Sequence, residues 1–180
     1  MKHQTVFDRE IEPEDFEFKY QEALTKQLDA YDSDFDKSVI NEIVLWKVNR
    51  YTLITEETIN LLNAVRKDET CLNESLTISI LQSLLGTKGI RLPMASTILR
   101  FKNPRLYQII DQRVYRLIGD CELRLPNNIE RQIKLYLDYL GRLKEVCELK
   151  KIPFEKSDRV LYEMDKRVNK RTALKNYGKS

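Results

Sequence analysis

Glycine and proline are scarce, with five of each in 180 residues. So few turn-formers leave little room for a many-stranded sheet or for long loops. Histidine is nearly missing: the one residue, His3, lies close to the start of the sequence, and zinc loses its commonest nitrogen ligand. The three cysteines, Cys71, Cys121 and Cys147, are odd in number and widely spaced. They read as reduced thiols rather than a disulfide framework. No run of about eighteen apolar residues occurs and no secretory leader is recognisable, which gives the expectation of a cytoplasmic protein without a membrane partner. The phosphate-loop pattern Gly-x-x-x-x-Gly-Lys-[Ser/Thr] does not occur either.

What is present is apolar periodicity at helical spacing. Apolar residues make up 42% of the chain and charged residues 33%, an ordinary balance for a helix-rich globular protein. The pattern predicts an all-α fold of about eight helices in a single domain spanning residues 1–180. A frayed leader covers 1–12 and a basic tail 172–180. Helices are expected from Pro13 to about Ala30, over 35–51 behind a Ser33 or Asp34 cap, and from Thr55 to about Arg66. Another runs from Asn73 to about Leu85, then 93–102, a short one after Asp111 stopped by Gly119, 127–150 and 154–170. In the last of these Val160, Leu161, Met164 and Val168 are expected to face inward. The net charge of +3 conceals an asymmetry: residues 1–36 hold eleven acids against four bases, which leaves +10 on the remainder. A basic body with an acidic flank fits a nucleic-acid partner, and equally a solvated acidic helix beside a loose basic tail.

The stretch from Leu84 to Ile118 carries the sharpest signal. Gly86 and Gly89 interrupt an apolar helix, and Pro93 is pre-set for the first turn of the next one. Gly89-Ile90-Arg91-Leu92-Pro93-Met94-Ala95, with Asp111-Gln112-Arg113-Val114-Tyr115-Arg116 beginning sixteen residues after Ala95, resembles the core of the helix–hairpin–helix DNA glycosylases. The resemblance covers about forty residues, with the hairpin over 78–102. In that family Gly-x-Gly-x-x-x-Ala precedes Asp-x-[His/Asn]-Val-x-Arg. Here Arg91 replaces the second glycine, Pro93 replaces the nucleophilic lysine of bifunctional members, and Arg113 replaces the His/Asn. The clustered cysteines that hold an iron–sulfur centre in some members are missing after Cys121.

The resemblance implies duplex DNA as partner. Gly89, Ile90 and the backbone N–H groups on to Ala95 would meet phosphate, with Lys88, Arg91 and Arg100 beside them; Ala95 would sit where the helices cross. Sodium or potassium at the hairpin carbonyls is implied as well, and no other cofactor. Asp111 would be the carboxylate that stabilises an oxocarbenium-like sugar, while proline at 93 would limit any activity to monofunctional excision without strand cleavage. An Asp directly before an apolar-periodic segment is also what a helix cap requires, so cap and catalyst are both expected of it. Glu42 resembles the acid of adenine-removing members at a shorter interval, and equally a solvated helix glutamate. Trp46 is a candidate to stack on an extruded base or to fill a core. Either Arg113 or Arg116 is expected to pair with Asp111 or an N-terminal acid. Two further readings stand beside base excision: a noncatalytic DNA-binding module, and a protein-interaction domain using the acidic N-terminal helix.

Overall fold

The computed structural model describes residues 20–48, 52–119, 121–172 and 174. Among these residues every regular element is helical: α1 Glu22–Asp29, α2 Lys37–Lys47, α3 Glu56–Ala64, α4 Glu74–Gly86, α5 Leu92–Lys102, α6 Gln112–Gly119, α7 Ile129–Lys150 and α8 Ser157–Val168, with a 3-10 turn at Phe154–Lys156. None of the described helices is long and apolar enough to cross a membrane. The expected leader 1–12, the first part of the expected helix from Pro13 and nearly all of the tail 172–180 lie outside the described residues.

Where the sequence predicts one domain, the chain divides into two compact units, Met1–Tyr51 and Thr52–Ser180. In the first, α1 and α2 pair around Leu24 and Val39. Trp46 meets Tyr20 edge-on at 5.4 Å and its indole N–H donates to Thr25 Oγ1 at 2.9 Å, so it is spent on packing two helices together. The cap of α2 is Asp36, two residues beyond the expected Asp34, whose Oδ1 accepts from Ser38 and Val39 N–H at 2.8 and 2.9 Å. Thr55 caps α3 and Asn73 caps α4 as the sequence predicts, through Thr58 and Leu76 N–H.

In the second unit the core is built from α4, α5, α6 and α7, with Ile80, Leu84, Leu92, Leu99, Ile110, Val114 and Leu143 wholly buried. Between α5 and α6 lies a short irregular segment that buries Asn103, Leu106, Tyr107, Gln108 and Ile110, and backbone groups removed from water need partners. They have them. Asn103 donates to the carbonyls of Arg66 and Glu69 at 2.7 and 3.0 Å and accepts from Arg105 N–H at 2.9 Å. Tyr136 and Tyr139 hydroxyls donate to the carbonyls of Gln108 and Ile109, and Ser96 Oγ accepts from Ile110 N–H. Asn103→Ala should therefore destabilise the fold by roughly 2–3 kcal/mol, since three backbone groups lose a partner at once; urea unfolding measures it.

The last helix corrects the sequence pattern. Of its four expected inward residues only Leu161 is buried, while Val160, Met164 and Val168 are 45, 40 and 50% exposed. The buried face carries Ser157, Asp158, Leu161 and Asp165 instead. Ion pairs set that orientation: Asp158 meets Arg100, and Asp165 meets Arg113 and Arg116.

Candidate nucleic-acid interface

Two helices of the second unit, α4 and α5, are joined by the turn 87–91. Thr87 N–H donates to Leu84 O and Ile90 N–H to Thr87 O, both at 3.1 Å, which reverses the chain within a few residues. Gly89 has φ +90°, a conformation that a side chain strains. Space does not demand the glycine, since a Cβ there would meet only Thr52 Cγ2, at 3.9 Å. Backbone conformation does.

Around the turn, Lys88 and Arg91 are exposed, while Ile90 is 5% exposed and anchors the loop in the core. Arg91 occupies the N-cap position of α5 in extended conformation and makes no side-chain cap hydrogen bond. A helix start without a side-chain cap turns N–H dipoles outward and favours an anion. Two of the expected N–H donors are already used: Ile90 N–H bonds Thr87 O, and Ala95 N–H bonds Arg91 O at 3.0 Å. Pro93 has no N–H at all. Ala95 is fully buried, as expected of a residue at a helix crossing.

Arg100 does not belong to this surface. It is buried, with Nε 3.2 Å from Asp158 Oδ2 and Nη2 donating to Glu155 O at 3.3 Å. The Nε–Oδ2 contact is a close ion pair without hydrogen-bond alignment, because neither atom finds an aligned partner. A guanidinium committed to α8 is withdrawn from any phosphate.

Asp111 stands directly before α6. Its Oδ1 accepts from Val114 N–H at 2.9 Å and its carbonyl from Tyr115 N–H at 3.0 Å, so it is the cap that the sequence predicts. Burial pushes its carboxyl above the usual range, against the opposing pull of the Val114 and Arg113 N–H groups and the Arg113 charge. The arginines of α6 turn elsewhere. Arg116 grips Asp165 with Nε and Nη2, both at 2.8 Å, and Arg113 Nη1 reaches the same carboxylate at 3.1 Å. Asn169 adds a fourth donor at 2.8 Å, and Asp165 is held down to about 2, first by the Arg116 bond. Among the described residues both arginines pair with Asp165 and neither with Asp111; the acids before residue 20 lie outside the described residues.

Glu42 lies on α2 in the first unit, where its Oε2 accepts from Gln27 Nε2 at 3.1 Å. An open groove of about 550 Å³ runs between α6 and α7, and Asp111 is not among its lining residues. Sequence reasoning missed Asp165 and Tyr139, which hold the segments around Asp111. The available signal was Arg113 and Arg116 on one helix face, three residues apart, in want of a shared acid.

No protein-family model, curated protein or solved structure matches the chain.

Proposed function

We propose that the chain binds duplex DNA through the turn between α4 and α5. One observation carries this reading: Lys88 and Arg91, both exposed, flank a left-handed Gly89 at a helix start that has no side-chain cap. Two exposed cations beside an uncapped helix start suit a phosphate, and Arg91 brings a planar fork that grips phosphate oxygens in pairs. The charge of +10 on residues 37–180 supplies a field that draws a polyanion. Contacts of this kind fix register on the duplex and read no sequence.

The double variant Lys88→Ala/Arg91→Ala tests the contact. Removing two phosphate partners should flatten the slope of log K against log salt by about 2 and weaken binding by roughly 10- to 100-fold at moderate salt. Both side chains are exposed, so the thermal midpoint should hold. Unchanged affinity for a short duplex would place the contact elsewhere.

A second reading, monofunctional base excision at Asp111, is favoured by a separate observation: a half-buried carboxylate whose pKa burial raises. Under this reading Asp111 is both the cap of α6 and the charge beside the sugar. With proline at position 93, no covalent adduct with abasic DNA should be trapped under borohydride. An adduct would expose a Schiff-base amine elsewhere in the chain.

A further inference from the structure

In the first unit α1 covers one side of α2: Tyr20 and Thr25 meet Trp46, and Gln27 meets Glu42. Among the described residues of that unit only Leu24 and Val39 are buried apolar side chains. At about 100° per residue, Ile40, Val44 and Val48 point away from Val39 and Trp46. These three are 47, 53 and 53% exposed, and Leu45 beside them is 40% exposed. Four large apolar side chains in water on so short a helix mark an interaction face.

The stripe is symmetric about its centre. Ile40 and Val48 lie four residues on either side of Val44, so an identical helix laid antiparallel brings Val44 onto Val44 and Ile40 onto Val48. The charges have the same property. Exposed Asp32, Asp34 and Asp36 stand at the amino end of α2, and exposed Lys47 stands at its carboxyl end. Antiparallel pairing carries the acids of each copy toward Lys47 of the other and opposes the two helix dipoles. Lys37, an exposed cation at the amino end, falls past the end of the other copy's α2 in this register. A parallel pair would instead set acid against acid. A foreign helix would have to match both the stripe and this polarity, and a second copy matches both at once.

We propose that this face of α2 pairs two copies of the chain in an antiparallel, two-fold contact. Self-complementary contacts of this symmetry are the commonest route to soluble oligomers. Two helices of 11 residues make a small interface, so the dimer is weak and depends on concentration. The contact uses no residue of the α4–α5 turn and does not depend on the DNA reading.

Sedimentation velocity of the full chain over a wide concentration series should show a reversible monomer–dimer equilibrium. Val44→Glu puts two carboxylates together at the two-fold axis and should weaken the dimer at least ~10-fold. The thermal midpoint of the dilute chain should hold, because Val44 is half-exposed in the single molecule. Disulfide cross-linking fixes the register in a Cys71→Ser/Cys121→Ser background, which removes the two exposed thiols. There Val44→Cys should oxidise to a covalent dimer, and Ile40→Cys should cross-link with Val48→Cys and not with itself. A chain monomeric at every concentration, a dimer indifferent to Val44→Glu, or Ile40→Cys cross-linking with itself would each overturn the proposal.

Discussion

Asp165→Ala should cost about 3–5 kcal/mol of stability at neutral pH, because it leaves two arginines without the carboxylate that both of them grip. Asp165 has no exposed side-chain surface and receives four hydrogen bonds, two from Arg116 and one each from Arg113 and Asn169. Its pKa is lowered from 3.8 to about 2, so folding favours the ionised form. The resulting stabilisation is present above the unfolded value near 3.8 and is lost as pH falls through about 2. Arg113 and Arg116 keep 27 and 15% of their side-chain surface in water, and solvent screens part of the gain. On the order of 1–2 kcal/mol should disappear between neutral pH and pH 2 from this residue. Urea unfolding across that range measures it, and Asp165→Asn should flatten the profile in the same window. An acid limb as steep in Asp165→Asn as in wild type would assign the pH dependence to other carboxylates.

The second large effect separates cap from catalyst. Asp111→Asn keeps a side-chain oxygen for Val114 N–H and removes a carboxylate that burial already disfavours. Stability should hold within a few tenths of a kcal/mol or rise. Asp111→Ala loses the capping bond and should cost roughly 1 kcal/mol. If Asp111 is the excision carboxylate, Asp111→Asn should lower base release by at least ~100-fold, since the developing positive charge on the sugar loses its counter-charge. DNA affinity should hold or increase in the same variant, because a negative charge facing phosphates is gone. The assay runs wild type and both variants on duplexes with oxidised, alkylated, deaminated and mismatched bases, followed by alkaline cleavage. Equal activity of Asp111→Asn would reduce the residue to a cap.

Local signals were legible in the sequence, and long-range pairing was not. Thr55 and Asn73 could be read as caps because each depends on an N–H three residues ahead. The glycine of the turn and the cap role of Asp111 follow from equally local rules. The face of α8 was illegible for the opposite reason. Val160, Met164 and Val168 repeat at helical spacing, as an inward stripe should, but the buried side carries Asp158 and Asp165. A buried acid looks like a solvent face until its partner is known, and here the partners lie about fifty residues away. Arg100 misled in the same way: proximity to the hairpin along the chain suggested a phosphate contact, and Asp158 took it inward. On α2 the apolar residues Ile40 and Val44 repeat at helical spacing, yet they are 47 and 53% exposed. Periodicity marks what is able to be buried; whether a neighbour arrives to bury it is tertiary information.

The claim that the α4–α5 turn is a phosphate grip is tested most directly by fluorescence anisotropy of the wild-type chain with two unrelated duplexes over a salt series. The account predicts nearly equal affinities for the two sequences and a log–log slope of about −2 or steeper, since Lys88 and Arg91 alone displace about two counterions. Duplex binding that ignores salt, or no binding even at low salt, would contradict it.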